Sequence, residues 1–111
     1  MVFVESKAFT RRLHDLAGGA ADEVLRHIQE DLLKDPETGD VAQGLSGIRK
    51  ARASNPTRGK GKRSGYRYMH LYLKHRDHIH LLILLDKDEQ ENLNTEQRKA
   101  LRLMVAELKR L

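Results

Sequence analysis

The chain has 111 residues, with 21 Lys+Arg against 16 Asp+Glu, a formal net charge of +5 and no cysteine. That length supports one domain, read here as residues 1–111, and the lack of cysteine excludes a disulfide framework, an iron–sulfur cluster, a Cys-ligated zinc ribbon and a cysteine nucleophile. No eighteen apolar residues run together and no basic, apolar leader opens the chain, so the expected compartment is the cytoplasm with no membrane partner.

In chain order, Val2, Phe3 and Val4 form a short β-prone run. Ser6 is placed to cap a helix whose apolar positions Phe9, Leu13, Leu16 and Ala17 recur three and four apart, stopped by Gly18-Gly19. A second helix carries Val24, Leu25, Ile28, Leu32 and Leu33 on one stripe, with Asp22, Glu23, Glu30 and Asp31 on its solvent face, and ends at Asp35-Pro36. From Ile48 to Ala53 the period becomes two, setting Arg49, Ala51 and Ala53 against Ile48, Lys50 and Arg52.

Residues 54–64, with Pro56, Gly59 and Gly61, read as a loop. Gly65 to Leu73 alternates again and sets Arg67, Met69, Leu71 and Leu73 opposite Tyr66, Tyr68, His70 and Tyr72. Ile79 to Leu85 is almost wholly apolar, as a central strand requires. Asn94 with Gln97 predicts a capping box on a last helix lined by Leu101, Met104, Val105, Leu108 and Leu111. The order β-α-α-β-β-β-α predicts an α+β domain: a small antiparallel sheet with two N-terminal helices and a C-terminal helix, the helices packed on one sheet face.

Charge is distributed unevenly. Residues 1–40 carry 5 basic and 9 acidic groups, whereas residues 41–76 carry 10 basic and none acidic. Such an island repels itself unless a polyanion lies against it, so a nucleic-acid phosphate backbone is the expected partner. His75, His78 and His80 form a polar hairpin without the carboxylate or cysteine that a convincing metal site needs, and no metal is expected.

The ordered string Asp35-Pro36, Gly39-Asp40-Val41, Gln43-Gly44, Gly47-Ile48-Arg49-Lys50-Ala51-Arg52 and Gly59-Lys60-Gly61-Lys62-Arg63-Ser64-Gly65-Tyr66-Arg67 resembles the RelE/HigB toxins of bacterial type II toxin–antitoxin modules, in particular the HigB-2-like branch. Val2-Phe3-Val4-Glu5-Ser6, Lys87-Asp88-Glu89, Leu93-Asn94 and Gln97-Arg98-Lys99 extend the resemblance over nearly the whole chain. It implies a RelE-like fold and a ribosome-dependent mRNA endoribonuclease that works without metal or other cofactor. The ribose 2′-OH would attack the adjacent phosphate, leaving a 2′,3′-cyclic phosphate or 3′-phosphate and a 5′-OH. The implied partners are the 70S ribosome with its message and a cognate antitoxin, often one with a helix-turn-helix domain, through which alone operator DNA would be reached.

Such chemistry needs a proton acceptor for the 2′-OH, cations for the pentavalent oxygens and a donor for the leaving 5′-oxygen. Arg67 follows the Gly-rich loop, matches a family arginine and offers a bidentate fork to phosphate. Lys60 and Lys62 are read either as base or acid or as rRNA contacts, and Lys87 as a catalytic-site cation. Arg49, Arg52, Arg58 and Arg63 are expected to contact RNA; Lys50 ranks below them because its stem can lie along the apolar Ile48 face. Many relatives carry a tyrosine where this chain has Leu85, and no aromatic residue follows Tyr72. His70 or Tyr68 would supply the missing donor or stacking group, although alternation turns both away from Arg67 unless a bulge intervenes, and the general acid is left open. Two other functions compete: a non-catalytic ribosome- or RNA-binding protein of this fold, and an antitoxin-binding corepressor partner on operator DNA.

Overall fold

The structure, a computed structural model, describes residues 1–53 and 65–111. Strand β1 (Val2–Glu5) leads through Ser6 into α1 (Lys7–Ala17), which a single 3-10 turn at Gly18–Ala20 joins to α2 (Ala21–Lys34). Ser6 Oγ accepts the Phe9 N–H at 2.9 Å and donates to the Leu82 carbonyl at 2.7 Å, so one side chain both caps α1 and ties it to the sheet. The chain continues through β2 (Asp40–Val41), β3 (Arg49–Ala53), β4 (Tyr66–Leu73), β5 (His78–Leu85) and α3 (Thr95–Arg110). The expected capping box opens α3, with Asn94 accepting from the Gln97 N–H at 2.8 Å and Gln97 accepting from the Asn94 N–H at 2.9 Å.

Among the described residues the sheet has five strands in the order β1-β5-β4-β3-β2. The expected antiparallel meander is its centre; β1 adds to it in parallel beside β5, and the two-residue β2 extends the other edge. Two residues are too few to show a period, which is why β2 escapes sequence reading.

The helices cover both faces of the sheet, not one. Phe9, Leu13, Val24, Ile28 and Leu32 of α1 and α2 pack on Ala51, Ala53, Tyr66, Tyr68, Ile79, Leu81 and Leu84. Val105 of α3, with Leu101, Met104 and Leu108 beside it, packs on Ile48, Met69, Leu71 and Leu73 across the opposite face. The reason lies in β4 and β5: both faces of these strands are apolar, and each needs a cover. Leu33, expected on the apolar stripe of α2, is 58% exposed. The buried positions Ala21, Val24, Ile28 and Leu32 already complete a three-and-four stripe that leaves Leu33 outside.

Three cations fix the lie of α3 by donating to carbonyls of the turn between β2 and β3. Arg98 binds Gln43 O, Arg102 binds Gly44 O at 3.3 Å, and Lys109 binds Ser46 O at 3.1 Å. Held there, α3 covers the middle of its sheet face and leaves open the end at which β3 and β5 finish and β4 begins.

Candidate active site

At that open end the ladder register assembles a cationic cluster. Arg52 lies directly opposite Arg67, Leu85 lies opposite Arg67 on its other side, and Lys50 lies opposite Met69. Residues opposite one another share a face, so Lys50, Arg52 and Arg67 project together from the α3 side of the sheet. All three are exposed and line a cavity of about 470 Å³ with Leu85, Met69, Gln43, Glu91 and the Thr38–Val41 rim. Lys50 is ion-paired with Glu91. Among the described residues no ion pair neutralises Arg52 or Arg67. Like charges directly opposite on neighbouring strands repel, and an anion bound between them offsets the repulsion.

The rim is held from the opposite side of the sheet. Arg49 Nη1 donates to Gly39 O at 3.1 Å and Nη2 to Glu37 Oε2 at 3.3 Å. His70 Nε2 donates to Thr38 O at 2.9 Å, which fixes the tautomer and leaves Nδ1 without a partner among the described residues. Burial pushes the His70 imidazole below its ordinary value, Arg49 adds to that effect, and the Thr38 bond and Asp35 oppose it. Gly39 closes the turn at φ +90°, where an added Cβ would stand 2.1 Å from the Lys50 carbonyl oxygen; only glycine lets the rim come this close to β3.

The structure therefore divides the residues singled out from sequence. Lys50, Arg52 and Arg67 come together, and Lys50, ranked low for sharing the Ile48 face, belongs to the cluster because that face is the one Arg67 occupies. Arg49 is turned away into the Glu37–Gly39 rim. His70 and Tyr68 do not reach the cluster: both are 0% exposed under α1 and α2, their rings 5.5 Å apart. Burial, with the negative Asp31 in range, pushes the Tyr68 phenol above its ordinary value, and its hydroxyl has no partner among the described residues. A bulge is present, but it falls on β5, where Leu82 is skipped as His70 pairs with Leu81 and Met69 with Ile83. The alternation of β4 is unbroken, so His70 stays on the face opposite Arg67.

Lys87 is exposed two residues beyond Leu85, its N–H donating to Asp86 Oδ1 at 2.8 Å, outside the cavity wall. Arg58, Lys60, Lys62 and Arg63 lie outside the described residues. Leu85 is an apolar part of the cavity wall directly across from Arg67.

Sequence reasoning missed Glu91, the acid that enters the cluster from outside the basic island. Two anchors place it. On one side Arg12 donates from Nε to Leu84 O at 3.1 Å and pairs with Glu89, which closes a turn with Asp86. On the other, Leu93 packs under α3 ahead of the Asn94 cap. The available signal was the acidic run Asp86, Asp88, Glu89, Glu91 squeezed between an apolar strand and a capping box.

No helix among the described residues is long and apolar enough to cross a membrane. No family model matches the chain. Among solved structures it is similar to a double-arginine variant of the E. coli toxin RelE in the free state, with a TM-score of 0.58 at 10% identity over 94% of this chain and 95% of that one. The isolated E. coli RelE toxin matches with a TM-score of 0.56 at 13% identity over 98% and 96% of the two chains. A chain of the intact E. coli RelBE toxin–antitoxin complex gives 0.56 at 14% identity over 80% and 98%. The expected RelE-like architecture is borne out: this chain has the fold of the RelE toxin.

Proposed function

We propose that this chain is the toxin of a type II toxin–antitoxin module, of the HigB-2-like branch, and acts as a ribosome-dependent mRNA endoribonuclease in the cytoplasm. The observation that carries the reading is the cluster of Lys50, Arg52 and Arg67, exposed around one cavity on a RelE fold. A message phosphate seated between Arg52 and Arg67 meets two guanidinium forks, which stabilise the charge of a pentavalent phosphorane more than that of the ground state. The ribosome supplies the extended message, so that the 2′-OH stands in line with the scissile bond. Lys60, Lys62, Arg58 and Arg63 occupy the sequence between the two strand ends that flank the cluster, and with Lys87 they are assigned further phosphate and rRNA contacts.

The E. coli RelE neighbour is held in a toxin–antitoxin complex, and for this chain we assign a cognate antitoxin with a helix-turn-helix domain, which would carry it to operator DNA. Leu85 in the cavity wall favours one second reading, a protein that occupies the ribosome without cutting. Inducing the chain in bacteria and mapping transcript 5′ ends separates these. Growth arrest with new 5′-OH ends inside translated frames supports the endoribonuclease, arrest without new ends supports the binder, and neither effect overturns both.

A further inference from the structure

In-line attack by a 2′-OH needs a proton acceptor, and the cations of the cavity are poorly suited to the part. Arg52 and Arg67 are guanidinium groups that stay protonated in proteins. Lys50 faces a carboxylate as the positive half of an ion pair. The imidazole of His70 and the phenol of Tyr68 are sealed on the opposite face of the sheet. Lys60 and Lys62 lie outside the described residues; among the described residues on the cavity wall, that leaves two acids, Asp40 and Glu91.

Asp40 stands on the two-residue edge strand at the outer rim, exposed to solvent. Glu91 is different in three respects. Its side chain is only 20% exposed, it reaches across to the floor cation Lys50, and it is backed by a second, apolar cavity of about 350 Å³ lined by Leu82, Ile83, Leu93, Leu101 and Met104. With hydrocarbon behind it and an ammonium in front, the carboxylate is aimed into the cationic cavity by a segment anchored on both sides, at Glu89 and at Asn94.

Resting on the endoribonuclease reading above, we propose that Glu91 is the proton acceptor for the 2′-hydroxyl and that Lys50 is its acid partner. As the O2′–P bond forms, the 2′-OH proton passes to the Glu91 carboxylate. As the P–O5′ bond breaks, the 5′-oxygen takes a proton from the Lys50 ammonium. Transfer of the proton from Glu91 to Lys50 along their existing contact restores both groups, so each turnover closes with no other co-reactant.

The test is single-turnover cleavage of a defined message on purified ribosomes by the full-length chain. Glu91→Gln keeps the size and a hydrogen bond to Lys50 but accepts no proton, and its cleavage rate is expected to fall by about 10²–10⁴-fold. Ribosome association should hold or tighten, since a negative charge beside the phosphate is gone. A message with a 5′-thio leaving group needs no acid: Glu91→Gln should stay slow on it, while the defect of Lys50→Met should be relieved. Glu91→Asp, which retains the carboxylate, should lose less activity than Glu91→Gln and guards against loss of fold. Cutting by Glu91→Gln at the wild-type rate, or recovery of its rate on the 5′-thio message, overturns the proposal while leaving the endoribonuclease reading intact. Absence of any cutting by wild type overturns that reading and this proposal with it.

Discussion

Replacing Arg67 with methionine should move stability and activity in opposite directions. Arg67 stands opposite Arg52 across the β3–β4 ladder, both exposed, and no ion pair with another described residue neutralises either. Like charges so placed are destabilising by roughly 0.2–1 kcal/mol, and methionine retains the apolar stem that lies between Leu85 and Arg52. For a domain of this size that gain corresponds to a melting midpoint about 1–5 °C higher at low ionic strength. It should shrink toward zero in 1 M salt, where the screening length is only about 3 Å. Activity should fall by about 10²–10³-fold, the usual cost of removing one preorganised donor to a transition-state oxyanion. Circular-dichroism melts at two salt concentrations and a message-cleavage time course measure both effects. A variant that melts lower than wild type at low salt, or that cuts as fast, refutes the reading that Arg52 and Arg67, without an ion-pair partner among the described residues, await a phosphate.

Three further outcomes follow from the geometry. His70 is buried in its neutral form, so the folded state binds its proton less readily than the unfolded chain; stability should be full above the unfolded value near 6.5 and decline as pH falls below it through the lower folded value. His80 is shifted the same way by burial, His78 and Arg76, so the measurement is the difference in acid-side denaturation slope between wild type and His70→Leu, and equal slopes would contradict the assignment. Gly39→Ala places a Cβ against the Lys50 carbonyl and should cost more than about 1 kcal/mol in urea unfolding, with a matching loss of cleavage as the rim is displaced; a neutral substitution would show that the rim is not held as described. Asn94→Ala removes the α3 cap and should lower stability by about 1 kcal/mol, and no change in the urea midpoint would show that the cap contributes nothing.

Much of this architecture was legible in the sequence because its signals are local. Ser6 and Asn94 are caps whose partners lie three residues on, and the alternation of Tyr66 to Leu73 reports correctly which side chains share a face. Arg67 was found by its setting after the Gly-rich loop, and Arg52 as a member of the acid-free basic island. What failed depends on contacts remote in sequence. Arg49 looked like another RNA contact until the Glu37–Gly39 turn came back to claim its guanidinium. Lys50 reads as a snorkelling residue because it shares the apolar Ile48 face, whereas at Lys50 that face opens into the cavity. His70 and Tyr68 looked like donors because their chemistry suits the part, and only the packing of α1 and α2 over them shows that they build the core and brace the rim. Glu91 was marked only as part of an acidic run, since its relation to Lys50 spans 41 residues of chain.

On the proposed function, the Lys50, Arg52 and Arg67 cluster cuts messages held by the ribosome. Primer extension on a defined message in a purified translation system, with and without ribosomes, tests it with wild type beside the Arg52→Met, Arg67→Met double variant. Cuts are expected within the translated frame only when ribosomes are present, and none with the double variant. Cutting of naked message at an equal rate, or cutting by the double variant at the wild-type rate, would contradict it.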